Sequence, residues 1–263
     1  MKLPVSGMDV VFRAPDGTDD LALLESAGGP MEHALVALER LARVAGRESD
    51  RALWAALTVT DFEAALLGLR RFLLGDTVAC VFRCTQENCG ERMAPDFSIA
   101  AFLADVNPRV PRKVESSEDR PGWFALSANG DGKVWFRLPA VEDQLEVMGR
   151  PRARDLLMQR CVDAGKLKAR GLGRVEHAME TMAPLVSRPL AGNCPECGAP
   201  VTMPMHVPRL VMDEIKASAA GVHEEIHTIA AAYHWDEATI LAMPQSRRQM
   251  YTETIRLHER PAL

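Results

Sequence analysis

Four of the six cysteines fall into two pairs far apart in the chain, Cys84-x4-Cys89 in VFRCTQENCGERM and Cys194-x2-Cys197 in GNCPECGAPV. Each pair lies where one strand-like apolar run turns back into another, and a glycine (Gly90 or Gly198) directly follows the second cysteine. That pattern reads as a zinc knuckle, a tight turn that aims two thiolates at one ion. Two knuckles supply four soft ligands, enough to close a tetrahedral site with no position left for substrate. Sharing one zinc, they would fasten the front half of the chain to the back half in a structural role. Two half-sites completed by a partner chain would carry the same spacing. Of the other cysteines, Cys80 alternates with Val78 and Phe82 and reads as a buried thiol, with substitute ligation as its alternative. Cys161 closes an amphipathic helix and reads as core.

A second candidate chemistry lies in His223-Glu224-Glu225-Ile226-His227, which fits the helical zinc-protease motif H-E-x-x-H. In that reading His223 and His227 hold the metal and Glu224 activates its water. The second carboxylate, Glu225, sits awkwardly inside such a motif. No further histidine follows at metzincin spacing, and Glu253 could serve as third ligand only if the chain turned at Pro244. The blander reading gives His223 and Glu224 to a solvated face and leaves His227 partly packed. Nucleic-acid binding by the knuckles is disfavoured because Glu87, Glu91, Asp96 and Glu196 would repel phosphate. No glycine-rich phosphate loop and no serine elbow is visible.

The elements that must position these residues are mostly helical. The 263 residues are nearly half apolar, poor in aromatics and carry a net charge of −5. This composition favours helices and argues against nucleic acid as the main partner. No run approaches the ~20 apolar residues of a membrane span, and the N-terminus has no signal-like apolar core, so a reducing cytoplasm is expected. A strand before Pro15-Asp16-Gly17 leads to a short helix starting at Asp19 or Asp20. A longer helix follows over 31–46. Thr60 and Glu63 read as a capping box for the helix ending at Gly75-Asp76. Residues 105–121 read as a surface loop, and Asn129-Gly130-Asp131-Gly132 as a hairpin turn. Helices at 140–148, 151–164 and 174–182 precede the strand into the second knuckle. Helices through 219–235, from Asp236 and over 245–258 close the chain. The expected fold is α+β and helix-rich, with short β-hairpins carrying the knuckles. It divides into 1–104, a loop-and-hairpin insertion at 105–135, a second helical segment at 136–220, and a C-terminal helical element at 221–263. Each half runs helix, strand, knuckle, strand, then an acidic apolar segment.

Three segments together resemble a known family. They are LPVSGMDVVFRAPDGTDDLALLES, VTDFEAALLGLRRFLLGDTVACVFRC and EEIHTIAAAYHWDEATILAMPQSRRQMYTETI. They are similar to the T4-like baseplate hub proteins of contractile phage tails and to small proteins of related contractile injection systems. Asp61, Leu66, Leu67, Leu69 and Arg70, with Gly75-Asp76, match the helix before the knuckle. His227, Ala230, Tyr233, His234, Trp235, Ile240, Leu241, Pro244, Arg247, Arg248 and Tyr251 match the C-terminal signature. The resemblance implies a non-enzymatic hub component or assembly chaperone that works in the bacterial cytoplasm and meets other hub, tube or tape-measure proteins. It implies no small-molecule substrate. His227, Tyr233, His234, Trp235, Arg247, Arg248 and Tyr251 are its candidate partner-binding residues, since Trp, Tyr and Arg dominate interface hot spots.

Overall fold

The computed structural model of the protein describes residues 1–128, 132–163 and 169–259. It is a mixed helical and β fold in which every sheet is short and antiparallel. Strand β1 (Val10–Phe12) leads to helices α1 (Gly17–Glu25) and α2 (Pro30–Leu41), then to β2 (Ala42–Val44), which pairs with β1 in the register Val10↔Val44. The helix expected over 31–46 therefore stops at Leu41, because the next three residues complete a sheet. Helix α1 begins earlier than expected. Asp16 caps it, accepting from the Thr18 and Asp19 N–H groups while the Asp19 carboxylate returns to the Asp16 N–H.

Helices α3 (Arg51–Ala56) and α4 (Val59–Leu74) follow. Residues Thr60 to Arg70 of α4 are buried without a break, so this helix is wrapped on all sides. Its cap is Thr58, whose hydroxyl accepts from the Asp61 N–H. The capping box expected at Thr60 and Glu63 does not form. The Thr60 hydroxyl instead donates to the Pro184 carbonyl, and the Glu63 carboxylate accepts from the N–H and hydroxyl of Ser187. Asp61 accepts from the N–H groups of Val5 and Ser6 at 2.7 and 2.8 Å, so the Leu3-Pro4 opening turn is folded around it. The opening turn and α4 thus meet at one carboxylate.

The first knuckle sits on a broken hairpin, in which β3 (Thr77–Ala79) pairs with β6 (Asp96–Ser98), and β4 (Phe82–Arg83) with β5 (Arg92–Met93). Helix α5 (Ile99–Ala104) follows. A four-stranded antiparallel sheet then forms in the order β10-β9-β8-β7, from β7 (Val114–Ser116), β8 (Trp123–Ala128), β9 (Gly132–Arg137) and β10 (Val162–Asp163). It packs with α7 (Ala153–Cys161) and α8 (Ala169–Met182) around Phe136, Cys161 and Val175, while α6 (Val141–Val147) joins the main core through Val141. Residues 114–182 thus hold one core that runs across position 135, and 105–121 contains a strand besides loop. Of the hairpin turn expected at 129–132, residues 129–131 lie outside the described residues and Gly132 begins β9; 164–168, where one predicted helix ended, lie outside them as well.

The second knuckle joins β11 (Leu190–Asn193) to β12 (Pro200–Met203), and α9 (Val207–Ala219) follows. By sequence this stretch is apolar and acidic, with no helix expected before 219. It is a helix capped by His206 that buries Val207, Val211, Met212, Ile215 and Ala219. Its buried face rests on α1, α2 and α4, and Glu214 pairs with Arg70 at 2.8 Å. The main core therefore draws on residues from Leu3 to Ile215. Helices α10 (Val222–Tyr233), α11 (Glu237–Leu241) and α12 (Gln245–Glu259) make a separate cluster around Ile229, Ile240 and Ile255.

Candidate metal centre

The two knuckles meet tip to tip. In the first, the Cys84 N–H donates to the Glu91 carbonyl at 2.8 Å and the Cys89 N–H to the Gln86 carbonyl at 3.0 Å. In the second, the Cys194 N–H donates to the Ala199 carbonyl and the Gly198 N–H back to the Cys194 carbonyl. Gly90 and Gly198 adopt φ of +60° and +70°, the left-handed conformation that lets the chain double back at low cost. The turns bring Cys84 Sγ to 3.7 Å from Cys197 Sγ and Cys89 Sγ to 3.8 Å from Cys194 Sγ. All four sulfurs lie within 4.8 Å of one another. Sulfurs held about 2.3 Å from one tetrahedral ion stand about 3.8 Å apart, so this set is sized for a single metal. All four cysteines are free thiols. Phe82, Met93 and Val201 close the apolar side of the cluster.

The backbone prepares these sulfurs for charge. N–H groups of Cys197 and Glu196 draw the Cys194 thiol down to about 7, against the cost of burial. Around Cys89 the Glu91 N–H acts in the same direction. Burial and the sulfurs of Cys197, Cys194 and Cys84 outweigh it and push that thiol up to about 12. Four crowded sulfurs resist a second negative charge unless a cation shares it, and N–H donors to thiolates are the usual second layer of such sites. Cys80 and Cys161 stay apart from the cluster as buried thiols. Burial raises both, Cys161 to about 11 with Asp143 adding to the effect.

The H-E-x-x-H segment lies on α10 with both imidazoles exposed. Glu224 forms an ion pair with Arg256, and Glu225 is buried against Arg248 at 2.8 Å. Among the described residues, the four cysteines are the one group of three or more His, Cys, Asp or Glu ligands close enough to hold a metal ion.

The C-terminal signature residues divide between surface and interior. Tyr233 stacks on Trp235 with ring centres 5.0 Å apart, and Tyr251 meets both edge-on. His227, His234 and Arg247 are exposed, and Arg247 lies over the Tyr251 ring. His234 ends α10 at φ +54°, a left-handed cap more often given to glycine. Arg248 corrects the expectation of a docking residue. Its side chain is fully buried, pairing with Asp20 and Glu225 and donating to the Met243 carbonyl at 2.7 Å. A guanidinium with those obligations holds the fold together and presents nothing to a partner. Sequence reading missed Asp20 and Glu225. The signal available was weak, namely carboxylates at positions of apolar helices where a solvated face was equally plausible.

Compared with known proteins, the chain matches no protein-family model, no curated protein and no solved structure.

Proposed function

We propose that this protein is a structural or assembly component of the baseplate hub of a contractile phage tail or a related injection device, built around a structural zinc. The observation that carries the structural role is the closed set of four sulfurs, spaced for one ion and joining hairpins 105 and 113 residues apart. Four thiolates in a tetrahedron suit zinc, fill its coordination and leave no place for a substrate. The hub assignment rests on the resemblance of the opening, α4 and C-terminal segments. The cluster of Tyr233, Trp235 and Tyr251, rimmed by His227, His234 and Arg247, supports the C-terminal element as its partner-binding surface. The carboxylate that a protease would need at Glu224 is engaged by Arg256, and the neighbouring Glu225 by Arg248. The protein works by binding and positioning hub, tube or tape-measure proteins during assembly in the bacterial cytoplasm.

Two measurements test this. Elemental analysis should find one zinc per chain, lost in Cys197→Ser and kept in His227→Ala; the reverse pattern overturns the clamp. The full chain co-expressed with the hub, tube and tape-measure proteins of its own tail cluster should co-purify with at least one of them. Trp235→Ala should lose that partner and retain zinc. Normal particle assembly in the absence of the chain would overturn the hub assignment.

A further inference from the structure

We propose that residues 221–259 form a hinged clasp, a separately cored helical unit that Arg248 closes on α1 and that opens as one body about Ala220–Gly221. Among the described residues, the apolar cluster of Ile229, Ile240 and Ile255, with Ile226, Ala230, Trp235 and Tyr251, contains none from outside the unit. The main core ends at Ile215. A two-residue turn, Ala220–Gly221, joins α9 to α10. The unit therefore keeps its own apolar interior whether or not it touches the body.

What holds it closed is small and local. Among the described residues, two side-chain hydrogen bonds link the unit to the body: Arg248 to Asp20, which spans 228 positions, and Gln245 Nε2 to the Ser218 carbonyl at 2.6 Å beside the turn. Around it, Asp16 bridges to Pro244 and Gly17 abuts Leu241. A methyl group at Gly17 would come within 2.8 Å of the Leu241 backbone, so this approach admits glycine alone. The seam is also incompletely packed. A groove of about 270 Å³ runs along it, lined by Asp20, Leu23, Leu73, Ile215, Pro244 and Gln245 among others. A buried arginine between two carboxylates gives a unique closed geometry more than it gives net stability. A few local fasteners, one hinge and an incompletely packed seam are the parts from which a hinged, two-position unit is built.

Hydroxyl-radical footprinting of the full zinc-loaded chain tests this. In Arg248→Met, labelling of Leu23, Leu241 and Met243 at the seam should rise at least fivefold. Phe62 and Leu66 in the body, and Ile229 and Ile255 inside the unit, should stay at the wild-type level. A rise at Phe62 and Leu66 as well would make Arg248 a general stability residue and overturn the proposal. A rise at Ile229 and Ile255 would mean the unit melts instead of swinging, which also overturns it. Gly17→Val leaves the ion cluster chemically intact and wedges the same seam, so it should give the same pattern; wild-type labelling at the seam in that variant would equally sink the clasp.

Discussion

Two fastenings hold distant parts of this chain together, and they differ in kind. The cysteine cluster joins hairpin tips with four sulfur ligands around a place for a cation. The Arg248 cluster joins the C-terminal unit to α1 with one cation between two carboxylates. The first gathers four thiols that an added metal would draw into their charged form. The second carries its cation in the sequence and is left with an excess of acid. A metal in the first could be withdrawn by a chelator; the second is undone by mutation.

The largest expected effect comes from removing the proposed zinc. Structural zinc sites contribute about 10–16 kcal/mol of apparent binding free energy at neutral pH, all of it coupled to folding. Chelation, or Cys194→Ser, should therefore release the β4–β5 and β11–β12 hairpins from each other and lower Tm by tens of degrees. Calorimetry with and without chelator measures this. An unchanged Tm would show that α4 and α9, through Glu63–Ser187 and Arg70–Glu214, suffice to hold the halves together.

Next in size is Arg248→Leu, which leaves Asp20 and Glu225 buried without a counter-ion. Breaking one side of a buried ion cluster costs about 3–5 kcal/mol. The triple variant Asp20→Asn, Glu225→Gln, Arg248→Leu should recover most of that loss in a denaturant titration. If it does not, the arginine acts mainly through packing and its bond to the Met243 carbonyl, and the contrast with the metal site weakens.

The same comparison explains what could be read without a structure. Cysteine pairs announce themselves, because few residue types at few spacings make a metal turn, and both knuckles were legible down to Gly90 and Gly198. Arg248 was visible only as part of a C-terminal pattern shared with Arg247. Nothing local distinguishes two adjacent arginines on a helix when the partner, Asp20, lies 228 positions away. Thr60 and Glu63 misled for a related reason. Their spacing is that of a local cap, yet both side chains are spent on residues 184–187. Helix α9 was missed because Pro204 and Pro208 break its approach, although Pro208 lies in the first turn where proline is tolerated. Helix α2 was read too long because tertiary pairing with β1, invisible locally, claimed residues 42–44.

A third, smaller effect follows from a site with the opposite stoichiometry to Arg248. Asp143 is one fully buried carboxylate between two arginines. Burial would raise it, but Arg137, the Ala140 N–H and Arg160 hold it down to about 2. A lowered carboxylate contributes stability that is complete above its unfolded value near 4 and lost as pH falls toward 2. That is about 1–2 kcal/mol after screening at the partly exposed arginines. Asp20 moves the other way: burial, only partly offset by Arg248, raises it, with Glu225 and Asp19 adding repulsion. Its folded state holds a proton more tightly, so the clasp gains stability as pH falls through that raised value and loses it as pH rises again. Seam footprinting of the zinc-loaded chain should therefore weaken in mild acid, while exchange in the β8–β9 sheet should rise only below pH 4. Parallel changes in the two regions would break the distinction.

The finest test separates two neighbours. Arg247 and Arg248 are consecutive on α12, one exposed over the Tyr251 ring and the other sealed between carboxylates. An exposed arginine over an aromatic ring is worth about 0.5–1 kcal/mol at most, so Arg247→Ala should barely move Tm. If the Tyr233–Trp235–Tyr251 surface binds the partner, the same change should weaken partner capture about tenfold, as truncation of an arginine anchor does. Arg248→Leu should instead lower stability first and affect capture only through the altered set of the unit. A variant pair in which Arg247→Ala destabilises the fold, or leaves capture untouched, would remove the surface from the candidate interface and leave the C-terminal unit as a structural element alone.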